Sequence, residues 1–201
     1  MSGGGILGGL ARYARPIVLL DAALIFGGIL LTSFNMLLVG WSVYAAGHVL
    51  AIIAFLTLAA AHRERMDGWS WTGLLVLELG LILALPQVAS IWRSYYDTPT
   101  GALMLVPAQA APIGPAADAL TWVGVAFFGL AARGAKALPA GLGWVFLVAA
   151  IIGLLAQFVN VLVITPYWWV VAVLVLVVGL VGAGASLQPA SRRAAEPARA
   201  L

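Results

Sequence analysis

The sequence contains no cysteine in its 201 residues. This absence excludes disulfide scaffolds, thiolate metal sites, iron–sulfur clusters and cysteine nucleophiles. Histidine is nearly absent too, because His48 and His62 are the only two. Two histidines are too few for a metal site unless carboxylates supply the other ligands. We therefore expect no metal and no cofactor.

Charged residues are also scarce, at 8% of the chain against roughly 25% in an average soluble domain. A soluble protein of this length exposes too much surface to cover with so few charges. Hydrophobic residues make up 64% of the chain, and six membrane-spanning helices of about 20 residues each would use roughly 120 of them. We predict an all-α, polytopic membrane protein, a bundle of six transmembrane helices surrounded by lipid and without nucleic acid as a partner.

Polar clusters and charged turns divide the apolar sequence into six predicted spans. The 45 residues from Ile17 to Ala61 would form a helix about 67 Å long, more than twice the hydrocarbon thickness, so the chain must turn near Thr32–Asn35. The transmembrane domain is expected over 17–186, between a cytoplasmic tail (1–16) and a disordered cytoplasmic tail (187–201). Its spans are expected at 17–33, 38–61, 70–91, 118–133, 141–164 and 167–186, with an outer linker over 92–117.

The basic residues indicate the orientation. Six spans place nine of the ten basic residues on one side of the membrane and leave only Arg93 on the other. Because arginine and lysine are enriched in cytoplasmic loops, we expect both termini in the cytoplasm. Nine of the ten are arginine, and with the many alanines and glycines this is typical of a GC-rich bacterial genome. We therefore expect the bacterial inner membrane.

Three ionisable residues fall inside the predicted spans, namely Asp21, His48 and Glu78. Such a group costs about 2.5–3.5 kcal/mol or more to insert, so each is a candidate functional residue. Counted from the cytoplasmic ends, Asp21 lies about one turn deep, Glu78 deeper and His48 deepest, in steps of roughly 6 Å. If their helix faces converge, they would form a path for protons or cations from the cytoplasm to the middle of the membrane.

Each of these residues also has a structural interpretation. Asp21 follows Pro16 closely, so the helix N-terminus and nearby Arg12 or Arg15 would stabilise its carboxylate. Glu78 could be protonated and hydrogen-bonded to a neighbouring helix. His48 could be a neutral hydrogen-bonding residue between two helices. Both interpretations stay open at this point.

Two amides in the fifth predicted span, Gln157 and Asn160, lie one turn apart on the same helix face. They would either hydrogen-bond to another helix or line a polar cavity. The fourteen-residue spacing of His48 and His62 also permits a haem hypothesis, although no second helix supplies matching histidines.

The chain resembles a family of six-helix integral membrane proteins, common in actinobacteria and related bacteria, for which no activity is established. The resemblance lies in the layout and in the sequence from Gly129 to Pro139, where a helix ends at Arg133 and Lys136 before Leu-Pro and a glycine-rich apolar span. A similar basic turn follows Ala61. The resemblance implies the six-span fold and assigns no role to any residue.

Three functional hypotheses follow. The first is a non-enzymatic accessory subunit that binds a membrane protein partner or a second copy of itself. The second is a small proton- or cation-coupled transporter that uses Glu78 with His48 and Asp21. The third, a membrane-embedded enzyme or haem protein, is weakest, because the sequence shows no nucleophile–base pair or metal-binding motif.

Overall fold

The computed structural model describes residues 6–97, 114–162 and 167–187, and these residues form helices joined by short turns. Six helices of the described residues are long and apolar enough to cross a membrane. The all-α fold and the six spans are thereby confirmed, and the chain is a multi-pass membrane protein. The helices are α1 (Ile6–Ser33), α2 (Leu37–His62), α3 (Gly68–Asp97), α4 (Gly114–Gly134), α5 (Ala140–Leu162) and α6 (Tyr167–Ser186).

The six helices form a closed ring. Each helix packs against its neighbours in sequence, and α6 returns to pack against α1. Successive helices run in opposite directions, so their connections alternate between two ends of the bundle. We call one of them the basic end, because α1, α3 and α5 begin there among Arg12, Arg65 and Lys136. At the far end, α2, α4 and α6 begin.

Glycines bring the backbones of neighbouring helices close together, as is common in membranes. A Cβ atom at Gly28 of α1 would lie 2.6 Å from Tyr44 N of α2, and one at Gly73 of α3 would lie 2.6 Å from Phe128 N of α4. Distances this short exclude any larger residue unless a helix moves. The glycines at these contacts therefore determine which faces of the helices pack together.

Three phenylalanines on different helices fill the centre of the ring. Phe55 of α2, Phe128 of α4 and Phe146 of α5 are each at most 1% exposed. Their ring centroids lie 5.8–6.4 Å apart in all three pairs, with the rings inclined or edge-on, which is the favoured range for aromatic packing. We call this cluster the phenylalanine layer.

The turns have specific local causes. Asn35, in the predicted turn near Thr32–Asn35, has φ 63°, a left-handed conformation that asparagine tolerates better than most residues. At the basic end, Asp67 Oδ1 accepts hydrogen bonds from Ser70 N (2.8 Å) and Ser70 Oγ (2.6 Å) and so caps α3. These bonds hold the pKa of Asp67 below its usual value.

A cation–π contact lies at the turn between α4 and α5. The Arg133 guanidinium lies 4.8 Å above the Trp144 ring, and both residue types are common at membrane surfaces.

Several boundaries differ from the predicted ones. Helix α1 begins at Ile6 rather than at residue 17, so it includes most of the expected tail and has Pro16 within it. Ala14 and Val18, on either side of the proline, are buried in the bundle, and this packing offsets the lost backbone hydrogen bond. The outer linker is shorter than expected, since α3 continues to Asp97 and α4 starts at Gly114. Residues 98–113 and the predicted disordered tail from residue 188 onward lie outside the described residues.

Candidate functional site

Asp21 lies in the middle of the first candidate span, Gly9–Ser33, twelve residues from either end. Its side chain is 0% exposed, and neither carboxyl oxygen has a hydrogen-bond partner within the described part of the chain. The expected stabilisation by a helix N-terminus is wrong, because α1 begins fifteen residues earlier, at Ile6. Arg15 and Arg12 lie about 9 Å and 13 Å away along the helix axis.

Glu78 occupies the corresponding position in α3. It lies ten residues from the start and twelve from the end of the candidate span Gly68–Ser90, and its side chain is 7% exposed. Neither of its carboxyl oxygens bonds to any described residue. The interhelical hydrogen bond that the structural interpretation required is therefore not observed among the described residues. Buried polar groups without partners are rare in proteins and call for an explanation.

Helix pairing places these two carboxyl groups at the same depth. In the α1–α2 pair, Gly28 lies against Tyr44, Gly40 against Thr32 and Gly47 against Ile25, so Asp21 is level with Ala51. In the α2–α3 pair, His48 contacts Leu81, which places Glu78 level with Ala51 as well, to within about one helical turn of 5.4 Å. The predicted position of Asp21 near the end of its helix is wrong, because α1 starts earlier than expected, whereas His48 is the farthest of the three from the basic end, as predicted.

His48 holds α2 against α3. Its Nε2 atom lies 3.1 Å from Leu81 O, and because a carbonyl oxygen can only accept, Nε2 carries the hydrogen. The structure therefore assigns His48 an interhelical hydrogen bond, the simpler of its two interpretations. The ring also lies beside the Tyr44 ring, one turn earlier on α2, with a centroid distance of 6.4 Å.

Asp118 is a further carboxyl group, and the sequence analysis missed it. It lies four residues inside α4 and is partly buried, and Gln157 Nε2 of α5 donates to its Oδ2 atom at 3.3 Å. The Gln87 amide of α3 is a second hydrogen-bond partner. The predicted span began at Asp118 and so placed this residue at the membrane surface. Pro115, a residue favoured in the first turn of a helix, is the signal that could have corrected the boundary.

Tyr44 belongs to an aromatic cluster near the far end. Its ring centroid lies 5.5 Å from that of Trp41, on the same helix, and 5.5 Å from that of Trp169 of α6. The Tyr44 hydroxyl adds a polar group to this part of the bundle.

Six polar residues lie between the middle of the bundle and its far end, and we call them the polar track. It begins at the middle of the membrane and ends near the far end, and its members come from five of the six helices. The polar track comprises Asp21, Glu78, His48, Tyr44, Asp118 and Gln157. Gln157 makes an interhelical hydrogen bond to Asp118, whereas the side chain of Asn160 lies outside those described.

Among the described residues, no group of three or more histidines, cysteines, aspartates and glutamates comes together. His48 and His62, the two histidines of the haem hypothesis, lie about 21 Å apart along α2, and the sequence has no further histidine to pair with either of them. The polar track therefore consists of carboxyl, amide, imidazole and phenol groups.

Comparisons of the chain with protein-family models, with curated proteins and with solved structures found no match.

Proposed function

We propose that this protein is a small proton-translocating carrier in which Asp21 and Glu78 bind the proton at mid-membrane. The observation that carries the proposal is that both carboxyl groups are buried at the same depth and have no hydrogen-bond partner among the described residues. Ionisable groups inside a membrane are costly and typically mark ion or proton pathways. A purely structural carboxyl group would be expected to hold a neighbouring helix.

A proton is a better cargo for this site than a metal ion. Calcium takes six to eight oxygen ligands and magnesium requires an octahedral set. A carboxyl group binds a proton through one oxygen and needs no further ligand. The absence of a three-membered acidic or histidine cluster in the described residues supports this choice.

The same proposal places the protein in a bacterial inner membrane with the basic end in the cytoplasm. Of the seven basic residues in the described ranges, all except Arg93 lie in the half of the bundle nearer the basic end. This asymmetry follows the rule that positive residues remain on the cytoplasmic side. Both chain termini would then be cytoplasmic.

An accessory or partner-binding role is the second candidate. The observation that favours it is the hydrogen bond between His48 of α2 and Leu81 O of α3, which gives this imidazole a structural role. In that case the buried carboxyl groups would contribute to assembly with a membrane partner, and proton movement would not depend on them.

Proton flux into sealed liposomes separates the two candidates. Purified protein is reconstituted with a pH-sensitive dye inside, and a potassium gradient with valinomycin drives proton entry. We expect the Asp21→Asn/Glu78→Gln double variant to lose the flux that the wild type shows. The matched controls are Asp67→Asn and Glu64→Gln, which alter exposed carboxylates in the turn between α2 and α3 and should leave the flux unchanged. A double variant with wild-type flux would overturn the proposal.

A further inference from the structure

The polar track extends from the middle of the membrane in one direction only. Asp21 and Glu78, the two central carboxyl groups, are level with Ala51 of α2. Measured along α2 from Ala51, His48 lies about 4.5 Å and Tyr44 about 10 Å nearer the far end. Asp118 and its partner Gln157 lie in the first turns of α4 and the last turns of α5, also toward the far end. All members of the polar track are therefore level with Asp21 and Glu78 or on their far-end side, whereas His62, the nearest histidine toward the basic end, lies about 16 Å away at the end of α2.

Toward the basic end the described interior is mostly apolar. The phenylalanine layer lies about 6 Å below Asp21 and Glu78, since Phe55 follows Ala51 by one turn of α2. Leu74 and Val18 are buried at about the same level, and Leu58 is buried beyond it. Two buried hydroxyl groups lie on this side: Thr57 Oγ1 donates to Ala54 O of its own helix at 2.9 Å, and Ser70 Oγ donates to Asp67 at the start of α3. Between the phenylalanine layer and His62, at the end of α2, no titratable side chain of the described residues is buried.

We propose that protons reach Asp21 from the far end only, with Asp118 as the entry acid, and that the phenylalanine layer closes the path toward the basic end. The inference rests on the proposed function and adds its sidedness and a third acidic residue. In the entry step Asp118 takes a proton from water at the far end and gives it up to the Asp21 carboxylate. The net step leaves Asp118 as a carboxylate and Asp21 as a neutral acid.

The sidedness is tested by thiol labelling, which the chain suits because it has no cysteine of its own. Asp21→Cys is treated with a membrane-impermeant methanethiosulfonate in right-side-out and in inverted membrane vesicles. Two surface variants report which end is reachable, Asn35→Cys at the far end and Lys136→Cys at the basic end, since both residues are exposed. We expect Asp21→Cys to be labelled only where Asn35→Cys is labelled.

Labelling of Asp21→Cys from the basic end, from both ends or from neither would overturn the inference. Glu78→Cys is the second test position, in case the first variant does not assemble, and the same outcomes apply to it. Adding Phe55→Ala should open the layer and permit labelling from the basic end also. If the doubly substituted protein elutes as wild type in size-exclusion chromatography and stays closed at that end, the assigned role of the layer is wrong.

The entry role of Asp118 is tested by flux. Asp118→Asn should lose most of the proton flux and Asp118→Glu should recover it, whereas a merely structural role would be filled equally well by asparagine. Wild-type flux in Asp118→Asn would overturn the entry role. The proposed function fails separately, when the Asp21→Asn/Glu78→Gln variant keeps its flux. If only the one-sided path is wrong, the Asp21→Asn/Glu78→Gln variant still loses its flux. In that case the labelling pattern of Asp21→Cys, or the flux of Asp118→Asn, differs from the expected one.

Discussion

Replacing Asp21 by valine should raise the thermal stability of this protein, whereas the same replacement at Asp118 should lower it. Both residues are aspartates inside the bundle, and valine is close to aspartate in volume. They differ in their partners, because neither oxygen of Asp21 has a hydrogen bond to a described residue while Asp118 accepts one from Gln157 at 3.3 Å. The two variants therefore isolate the effect of satisfying a buried carboxyl group.

The magnitudes follow from the cost of an unpaired polar group. A buried donor or acceptor without a partner costs about 1–3 kcal/mol, so Asp21→Val should gain up to that amount. Asp118→Val removes the acceptor of the Gln157 and Gln87 amides and should lose about 1–3 kcal/mol for the same reason. At about 2–4 °C per kcal/mol for a chain of this size, the melting temperatures should move in opposite directions by roughly 2–12 °C.

The assay is thermal unfolding in detergent, followed by the fluorescence of the eight tryptophans. Asp21→Asn is the control that keeps a polar group in place, and it should gain less than the valine variant. A fall in melting temperature for Asp21→Val would refute the reasoning, since it would mean that the carboxyl group makes a stabilising contact. The gain in melting temperature of Asp21→Val should be accompanied by loss of proton flux, because functional residues are often kept at the expense of stability.

Three further changes test the packing and the helix cap. Phe128→Ala should cost about 3–5 kcal/mol of unfolding free energy, measured by denaturant titration, because it empties a site in the phenylalanine layer; an unchanged midpoint would contradict the packing. Gly28→Leu should prevent close pairing of α1 and α2 and lower the melting temperature, whereas Gly141→Leu, with nothing within 4 Å of its added Cβ, should not; equal effects would contradict the pairing. The hydroxyl and backbone amide of Ser70 lower the pKa of Asp67. The Asp67 carboxylate therefore stabilises the fold fully at pH values above its ordinary pKa of 3.8. This stabilisation is lost as the pH falls through the lowered pKa of the folded protein. Asp67→Ala should accordingly melt at a lower temperature than wild type at pH 7, and the difference should disappear in acid.

The number of helices and most of their turns could be predicted from the sequence because they follow from membrane thickness. Apolar runs too long for one crossing must turn at their polar residues, as the chain does at Asn35. The start of α1 could not be predicted in this way. Pro16 is an ordinary helix boundary by local rules, and only the burial of Ala14 and Val18 against other helices carries the helix through it.

The site was predicted in part, for a related reason. Asp21, Glu78 and His48 were recognisable because each is ionisable and lies within an apolar run. Their relative depths depend on where the helices begin and how they pair, which is a property of glycine contacts such as Gly28 against Tyr44. Asp118 was missed because its position one turn inside α4 depends on a helix start that falls in a proline-rich linker.

The most direct test of the central claim is infrared spectroscopy of the reconstituted protein during a pH titration. A protonated carboxyl group gives a carbonyl stretching band separate from that of the carboxylate. We expect the wild type to show such bands, sensitive to pH and to exchange into heavy water, and we expect Asp21→Asn and Glu78→Gln each to lack one of them. Spectra that are identical in the wild type and both variants at every pH would show that these carboxyl groups hold no exchangeable proton, and would contradict the account.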